Sequence, residues 1–353
     1  MMEVHQTLPT MDVADAISND AFRIREILKV EGFESQIYAE HIHPNFKWVR
    51  NYKQLRKVTA PLLHHFSIGS DVNDFVSRLP NKKILIYHNI TPPQFIMEYN
   101  ATLADLCRLG REQIKGFRNN TVLALGDSEY DRRELESMGF DNTDVLPILM
   151  DFDQFKKFNK NIYEKFSDGF TNILFVGRLI PNKRIEHLVK IFYYYNNYIN
   201  PNSRLILAGS YSGMESYHNQ LIKMTKKLGV YENTVFTGKI SREDLSAYYR
   251  VATNFVCMSE HEGFCVPLLE AMFFKIPIVA YNSTAVPFTL GNSGILVNEK
   301  DFEGIAELLD ILNSDTPLRK RIIKNQNERL KDFGPRKVKS KLLEIVYTLV
   351  ESC

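Results

Sequence analysis

The stretch EGFCVPLLEA, from Glu262 to Ala271, and the run that precedes it show the structural unit from which this 353-residue chain is built. That run, Asn254–Ser259, has the apolar and β-branched content of a strand. Gly263 allows a close backbone approach after it, and Pro267 suits the first turn of a helix, where its missing N–H costs nothing. A strand, a short loop and a helix therefore follow one another, which is the unit of a parallel α/β sheet.

The same alternation of short strands and amphipathic helices runs through both halves of the chain. It predicts an α/β protein of two doubly wound, Rossmann-like domains that face each other across a cleft. Residues 1–150 are expected to form the first domain and residues 170–335 the second, with the charged, aperiodic stretch 151–169 as the linker. Residues 336–353 are expected to form a C-terminal helix that can cross back to the first domain.

Composition narrows the classes of function. The formal net charge of +2 gives no reason to expect nucleic acid as a partner. The four cysteines, Cys107, Cys257, Cys265 and Cys353, show no close-paired spacing, so the sequence suggests neither a zinc site nor a disulfide framework. The N-terminus lacks the features of a signal peptide and no apolar run is long enough to cross a bilayer, so a cytoplasmic protein is expected. No G-x-G-x-x-G follows a strand, which disfavours nicotinamide-dependent hydride transfer.

Two pairs of charged residues indicate an anionic ligand in the second domain. Arg178 and Lys183 stand in a loop between a predicted strand and a helix, where doubly wound sheets bind ligands, and their charges suit a diphosphate. Glu262 and Glu270 bracket a helix start that favours a phosphate, and their carboxylates can bind hydroxyls, so the four together indicate a nucleotide sugar. Taken alone, an arginine and a lysine in a loop more often belong to a solvated basic surface. The two glutamates can also be incidental surface residues of an otherwise buried helix.

These motifs, in this order, resemble the donor-binding half of retaining glycosyltransferases of family 4, which have the GT-B fold. The resemblance rests on Gly177-Arg178 with Lys183, on Glu262 with Glu270, and on the intervening VFTG at residues 235–238. It covers essentially the whole chain and is strongest over residues 171–297. It implies a hexosyltransferase that moves a sugar from a UDP- or GDP-linked donor to an acceptor hydroxyl with retention of configuration.

The resemblance also implies a role for each donor-site residue. Arg178 and Lys183 would bind the diphosphate and stabilise it as it departs, Glu262 would meet the hydroxyls of the donor sugar, and Glu270 would hold the ribose. Backbone groups over sugar and phosphate are implied at Gly263, Phe264 and Cys265, and packing against the base is implied at Gly238 and Ile240. The carboxylates would bind and would not act as the acid/base pair of a hydrolase.

A histidine segment in the first domain matches the acceptor-domain segment of the family. His88 ends the predicted strand Lys83–His88 and opens the loop NITPP, so the resemblance implies that its ring helps to hold the sugar and to stabilise positive charge. His64, His65 and Asn89 are expected to shape the acceptor pocket. A histidine considered alone is more often a structural residue.

No metal and no cofactor besides the nucleotide sugar are expected. Asp151-Phe152-Asp153 has the D-x-D form with which a different glycosyltransferase fold binds a divalent metal, but it lies in the predicted linker. The loop Asp12–Ala16 lacks the glycines that the family has there, although Ala14 and Ala16 are small and Ser18 or Asn19 can cap the next helix. Whether this loop contacts the donor phosphates stays open.

The acceptor is expected to be a glycan or a lipid-linked glycan, by analogy with surface polysaccharide and glycolipid synthesis. A helix predicted at Asn51–Thr59 continues a basic segment, Phe46–Val58, which could lie peripherally on an anionic membrane; a solvated helix face is the plainer interpretation. The cations of that segment are Lys47, Arg50, Lys53, Arg56 and Lys57. Two alternatives to the transferase are a non-catalytic partner subunit that binds a nucleotide sugar and a nucleotide-sugar epimerase on the same fold.

Overall fold

The computed structural model describes residues 2–13 and 15–351, which fall into two compact units, each built on its own parallel sheet. The first unit comprises the chain up to Gln94, Ala101–Met150 and the chain from Phe333 onwards. The second comprises Phe95–Asn100 and Asp151–Asp332. The short segment Phe95–Asn100 thus belongs to the second unit, which the sequence pattern does not indicate, and residues 151–169 fold within that unit as well.

The first unit has a seven-stranded sheet in the order β3-β2-β1-β4-β5-β6-β7, with every neighbouring pair parallel. The order reverses between β1 and β4, as in doubly wound folds. Its strands are β1 (His5–Met11), β2 (Ile37–Ile42), β3 (Arg50–Asn51), β4 (Leu62–Phe66), β5 (Lys83–Tyr87), β6 (Leu123–Gly126) and β7 (Thr143–Val145). The α-helices of its N-terminal part are α1 (Ala16–Val30), α2 (Asp71–Ser77), α3 (Ala101–Gln113) and α4 (Glu129–Ser137).

The second unit has a six-stranded parallel sheet in the order β10-β9-β8-β11-β12-β13, with the reversal between β8 and β11. Its strands are β8 (Thr171–Val176), β9 (Ser203–Ala208), β10 (Thr234–Gly238), β11 (Asn254–Cys257), β12 (Ile278–Tyr281) and β13 (Ile295–Val297). Its helices are α5 (Lys160–Phe166), α6 (Ile185–Tyr194), α7 (Glu215–Lys227), α8 (Arg242–Val251), α9 (Val266–Phe273), α10 (Val286–Leu290), α11 (Phe302–Ser314) and α12 (Thr316–Asp332).

The last helix, α13 (Pro335–Glu351), completes the core of the first unit. Val338, Leu342, Val346 and Leu349 recur at helical spacing and are buried in one cluster with residues of the first sheet. At the rim, the Lys341 ammonium lies 2.8 Å from the Asp144 carboxylate. The final two residues of the chain, within the helix predicted at 336–353, lie outside the described residues.

The basic segment around residue 50 does not form the predicted α-helix. Arg50–Asn51 pairs in parallel with β2, and Tyr52–Lys57 forms a short 3-10 helix. Pairing satisfies backbone groups of β2 that a helix would leave open, and Tyr52 is buried edge-on against the ring of Phe75, 5.3 Å away. The five cations of the segment are exposed: Lys47, Arg50, Lys53, Arg56 and Lys57.

The first loop also differs from the sequence-based expectation. The N-cap of α1 is Asp15, whose carboxylate accepts a hydrogen bond from the Ser18 N–H at 2.8 Å, so neither Ser18 nor Asn19 is the cap. Asp15 prevails because it sits where its carboxylate reaches free N–H groups of the first turn. Ala14, one of the two small residues of this loop, lies outside the described residues. Among the residues that the structure describes, none of the helices has both the length and the hydropathy to cross a bilayer.

Candidate functional site

The carboxyl ends of β8, β9 and β10 bring the backbone of the second unit close together at three glycines. A Cβ atom on Gly209 would lie 1.8 Å from the carbonyl oxygen of Gly177, so only glycine fits there. Gly238 ends β10 with a φ of 66°, which also favours glycine. Arg178 comes directly after Gly177 in the chain. Its side chain is exposed, and its Nη2 donates to the Ser212 carbonyl at 3.3 Å.

Two loops after neighbouring strands are tied to each other next to these glycines. The buried Asn182 side chain donates through Nδ2 to the His261 carbonyl at 3.0 Å. The Glu260 N–H donates to the Asn182 carbonyl at 2.8 Å, and the Arg184 guanidinium lies 2.5 Å from the Glu260 carboxylate. The loop after β8 and the loop after β11 therefore form one surface.

The structure brings Lys183 and Glu262 into direct contact at this surface. The Lys183 Nζ lies 2.5 Å from the Glu262 Oε2, and the two side chains are 17% and 9% exposed. Burial disfavours the charged amine, but the attraction of Glu262 outweighs it, so the pKa of Lys183 lies above its ordinary value. Lys183 therefore keeps its charge beside the Glu262 carboxylate, and each side chain could bind a ligand if the pair opened.

The start of α9 offers backbone donors beside Glu262. Cys265 is the N-cap and has a φ of 68°, unusual for a residue with a side chain. Within the described ranges, the N–H groups of Gly263 and Cys265 have no hydrogen-bond partner. The Glu262 N–H donates to the Thr284 hydroxyl at 2.9 Å. Free N–H groups at the positive end of a helix are suited to an anion such as a phosphate.

Glu270 is held by a tyrosine that the sequence argument did not single out. The Tyr249 hydroxyl, on α8, donates to the Glu270 Oε2 at 2.6 Å, and both residues are buried. The Tyr249 ring stacks on Phe274 with centroids 5.0 Å apart. Burial and the adjacent carboxylate raise the pKa of Tyr249, so its proton stays on and fixes the orientation of Glu270. The signal in the sequence was the Tyr248-Tyr249 pair, but nothing there shows which of the two faces Glu270.

The expected base-packing residues lie at and after the end of β10. Gly238 and Ile240 are half-buried, as is Gly263 of the α9 loop, whereas Phe264 is buried and its carbonyl accepts from the Thr289 hydroxyl at 2.5 Å. A Cβ atom on Gly238 would be 4.0 Å from the Tyr211 ring. That ring stacks on His218 with centroids 3.8 Å apart, which makes Tyr211 an aromatic surface next to Gly238. Tyr211 lies in the loop after β9 and was not among the site residues expected from the sequence.

His64 is a core residue of the first unit. It is fully buried, its Nδ1 lies 2.7 Å from the Thr7 hydroxyl and its Nε2 3.1 Å from Asn73 Oδ1. The ring also stacks on Phe117. Burial lowers the pKa of His64 to about 3. Both ring nitrogens are used inside the unit, so the structure does not present His64 to an acceptor; its polar neighbours, invisible in the sequence, account for its place in the core.

His88 and His65 are joined in a buried chain of hydrogen bonds. The His88 Nδ1 is 2.8 Å from Asp127 Oδ2, the His88 Nε2 is 2.8 Å from His65 Nδ1, and the His65 Nε2 is 2.9 Å from Gln6 Oε1. Where the Gln6 Oε1 accepts a hydrogen bond, the donor is the His65 Nε2–H. The neutral His65 then has only its Nδ1 to accept from the His88 Nε2–H, and since the His88 Nδ1 donates to Asp127, His88 carries protons on both nitrogens. Burial opposes that charge, but Asp127 outweighs it and raises the pKa of His88, while burial holds the pKa of His65 far below its ordinary value.

The ring of His88 is therefore committed within the first unit. Its side chain is 1% exposed and both ring nitrogens have protein partners. Asn89 is likewise buried, with a φ of 65°, and its Nδ2 donates to Asp131 at 2.6 Å and to Glu134 at 3.0 Å. Both side chains are thus hydrogen-bonded inside the first unit, and the roles that the resemblance implies for them stay predictions.

The D-x-D sequence starts a 3-10 helix of the second unit, Phe152–Phe155, with Asp151 as its N-cap. The Asp151 carboxylate accepts a hydrogen bond from the Asp153 N–H at 3.0 Å, and Asp153 lies 2.9 Å from the Lys156 ammonium. Both contacts are local in sequence.

Residues 156–329 match the protein family described as Glycosyl transferases group 1. O-antigen chain mannosyltransferase B of Escherichia coli is 31% identical over 145 residues, which make up 40% of this chain and 37% of that protein. The matches to two further curated relatives span 47% and 51% of their lengths. The chain thus spans about half or less of the curated relatives it matches.

Solved structures resemble the chain over its full length. Sucrose-phosphate synthase (tll1590) from Thermosynechococcus elongatus has a TM-score of 0.79 at 16% identity, with 100% of both chains covered. Anabaena Alr3699/HepE in complex with UDP-glucose has a TM-score of 0.79 at 13% identity, with 99% of this chain and 100% of that chain covered. Identities this low speak for the fold alone. The chain has the GT-B fold, and its residues 156–329 match the group 1 glycosyl transferases.

Proposed function

We propose that this protein is a retaining, metal-independent glycosyltransferase of family 4 that moves a sugar from a nucleoside-diphosphate sugar to an acceptor hydroxyl. The observation that carries the proposal is the Lys183–Glu262 pair, set 2.5 Å apart beside the N–H groups of Gly263 and Cys265, which have no partner among the residues that the structure describes. A cation, a carboxylate and two backbone donors at one helix start match the diphosphate and the sugar hydroxyls of such a donor.

Donor binding would open the Lys183–Glu262 pair and give each member a new partner. The Lys183 ammonium and the exposed Arg178 guanidinium would bind the diphosphate and stabilise the charge that grows on it as it leaves. Glu262 would accept hydrogen bonds from the sugar, and Glu270, held by Tyr249, would accept them from the ribose. Tyr211 would pack near the base, with Gly238 and Ile240.

For the transfer step we favour attack of the acceptor on the face from which the diphosphate leaves, with a phosphate oxygen taking the acceptor proton. His88 would act indirectly, by holding the end of β5 and the loop after β6 in place through its hydrogen bond to Asp127, since both of its ring nitrogens are occupied. No metal ion takes part in this scheme, because the cations and the backbone donors stabilise the leaving group.

The acceptor we propose is a glycan or a lipid-linked glycan of a surface polysaccharide, and the place of action is the cytoplasm or the inner face of the membrane. The names of matched relatives, such as O-antigen chain mannosyltransferase B, support this class of acceptor. The exposed cations of the segment around Arg50 are compatible with an anionic membrane.

The test is a panel of UDP- and GDP-sugars with the purified full chain, first by thermal shift and then by product analysis with and without excess chelator. The donor should raise the melting temperature by mass action, and its sugar should appear on an acceptor with the same anomeric configuration. Failure of every nucleotide sugar to stabilise the protein would contradict the proposal. Activity that chelator abolishes and a divalent ion restores would contradict its metal-independence.

A second candidate is a non-catalytic subunit that binds a nucleotide sugar. It is favoured by the commitment of both His88 nitrogens within the first unit. This candidate predicts donor binding without transfer, hydrolysis or epimerisation of the bound sugar, so the product analysis separates the two.

A further inference from the structure

Two thiols and a carboxylate meet in the second unit although the sequence gives no metal-ligand spacing. Cys257 ends β11, Cys265 is the N-cap of α9, and Glu262 lies between them in the loop. The two Sγ atoms and a Glu262 carboxylate oxygen all lie within 4.8 Å of one another, and all three residues are buried. The Cys257 thiol also donates to the Ser259 hydroxyl at 3.2 Å.

We propose that Cys257, Cys265 and Glu262 bind a thiophilic divalent cation, of which Zn²⁺ is the natural example. Zinc accepts thiolate and carboxylate ligands in a tetrahedral arrangement, with bonds of about 2.3 Å to sulfur that place two sulfurs about 3.8 Å apart. Small rotations of the two thiol side chains would reach that spacing. The fourth position is filled by water.

The charges of the site balance when the cation is bound. Both thiols release their protons to solvent, so two thiolates and the Glu262 carboxylate face the cation and the Lys183 ammonium, with no electron transfer. The Glu262 carboxylate has two oxygens, and only Oε2 is 2.5 Å from the Lys183 Nζ. Buried charges are tolerated where they are paired, so binding leaves no uncompensated charge in this part of the unit.

Metal binding would keep the proposed donor site closed, and this consequence rests on the proposed function. Glu262 would be held by the cation and could not turn to a sugar hydroxyl. Cys265 would be fixed at the start of α9, where its N–H is one of the proposed phosphate donors. The cation is thus an inhibitor of donor binding and not a participant in the transfer.

Metal binding is tested by titrating the reduced full chain with Co²⁺, without nucleotide, and then displacing it with Zn²⁺. We expect one equivalent of Co²⁺ with a thiolate-to-metal charge-transfer band that Zn²⁺ removes. Cys257→Ala, Cys257→Ser and Cys265→Ser should each weaken binding and reduce the band, while Cys107→Ser, which removes a buried thiol of the first unit, should retain both. Far-ultraviolet circular dichroism shows that each variant is folded.

Absence of a thiolate band in the folded wild-type protein would overturn the proposal. So would a band of unchanged intensity in the folded Cys257 variants. If Cys257→Ala fails to fold, the Co²⁺ bands of Cys257→Ser and Cys265→Ser decide whether the two thiols bind the metal.

The link to the donor site is tested separately, by nucleoside-diphosphate affinity in calorimetry with and without Zn²⁺. Zn²⁺ should weaken binding roughly tenfold or more in the wild-type protein, and less in Cys257→Ser relative to the affinity of that variant without metal. Unchanged affinity with Zn²⁺ bound would overturn the inhibitory role. Absence of nucleotide binding under all conditions would contradict the proposed function, while the Co²⁺ titration would still decide on the metal site.

Discussion

Lys183 and Arg178 have different surroundings, although both are proposed to bind the diphosphate. Lys183 is paired with the nearly buried Glu262, whereas Arg178 is exposed and contacts a carbonyl. Removing one partner of a buried pair leaves the other charge uncompensated. Stability and ligand affinity should therefore respond differently to the loss of each cation.

We predict that Arg178→Ala and Lys183→Ala each weaken nucleoside-diphosphate binding by about 1.5–3 kcal/mol, the range of a hydrogen bond to a charged group. Only Lys183→Ala should also lower the free energy of unfolding, because it leaves Glu262 unpaired. Calorimetry measures the affinities and urea denaturation the stabilities. Unchanged affinity in both variants would show that the diphosphate binds elsewhere.

Tyr249 is predicted to position Glu270. In Tyr249→Phe the ring still stacks on Phe274, but the 2.6 Å hydrogen bond to the carboxylate is lost. Nucleotide affinity should fall by about 1–3 kcal/mol, because Glu270 must then be oriented by the ribose alone. Tyr248→Phe is the matched control, since the neighbouring tyrosine packs edge-on against Phe166, with ring centroids 5.4 Å apart. Equal affinity losses in the two variants would rule out this positioning role.

Asp20 should make stability depend on pH. Burial, reinforced by Asp127, raises its pKa to about 6, so the carboxylate is disfavoured in the folded state and wild-type stability is lost as pH rises from 3.8 through about 6. Asp20→Asn does not ionise and keeps an acceptor for the Leu149 N–H, now 2.9 Å away. Relative to the wild type, the variant should therefore gain about 3 kcal/mol between pH 4 and pH 7. Urea denaturation at several pH values would reveal a flat difference if the Asp20 pKa were ordinary.

At the scale of elements, the ends of β4 and β5 and the loop after β6 are held together by the His65–His88–Asp127 chain. His65 lies in β4, His88 follows β5 and Asp127 follows β6. Because the carboxyl ends of parallel strands meet at one edge of a sheet, the three side chains can link three adjacent elements. This supports a role for His88 in the stability of the first unit.

His88→Ala should therefore lower the free energy of unfolding by about 3–5 kcal/mol, since it leaves the buried Asp127 without its partner. His41→Ala is the control, because His41 lies on β2 with its side chain 72% exposed. Urea denaturation gives both values. A His88→Ala protein of wild-type stability that has lost only turnover would instead favour a direct catalytic role for the ring.

The sequence pattern was a good guide to elements and a poor guide to side-chain partners. The strand expected at Lys83–His88 is found at Lys83–Tyr87, and the strand, loop and helix at residues 254–273 are found nearly as predicted. Apolar runs, Gly263 and Pro267 determine the local backbone conformation without help from distant residues. The basic segment, in contrast, forms β3 and a 3-10 helix instead of the predicted α-helix, because pairing with β2 is a tertiary effect.

The candidate site shows the same division. The resemblance singled out Lys183 and Glu262, but their mutual pairing depends on two loops about eighty residues apart in sequence. Local pattern could not show that Tyr249 holds Glu270 or that His65 occupies a nitrogen of His88. It also could not show that Cys257 and Cys265, eight positions apart, bring their thiols together, since that requires the strained turn at Cys265.

At the scale of the whole molecule, neither unit is a continuous stretch of chain. The first unit takes its last core helix, α13, from the C-terminus, and the second takes Phe95–Asn100 from within the N-terminal half. In that segment Asn100 donates through Nδ2 to the Gly213 carbonyl at 2.9 Å, and the Phe95 ring lies 5.5 Å from the Arg184 guanidinium. The folding of each unit therefore depends on residues distant in sequence.

The basic segment of the first unit is where the molecule would meet an anionic membrane. Its five cations are exposed, whereas Tyr52 and Leu55 between them are buried and cannot insert into a bilayer. Any membrane binding should then be electrostatic, with each cation contributing about 1 kcal/mol near a charged surface. Such binding is screened by salt over a Debye length of about 8–10 Å.

We predict that the full chain co-sediments with vesicles containing anionic lipid at low salt, and not at high salt or with neutral vesicles. Replacing Lys47, Arg50, Lys53, Arg56 and Lys57 with Gln should abolish sedimentation. A charge-matched variant with exposed cations of the second unit replaced, Lys223, Lys227, Lys320, Arg321 and Lys324, should still sediment. Equal losses in the two variants would indicate a response to net charge alone. Absence of low-salt binding in the wild-type protein would rule out the basic segment as a membrane-binding surface, because cations that do not bind under the least screening cannot bind at higher salt.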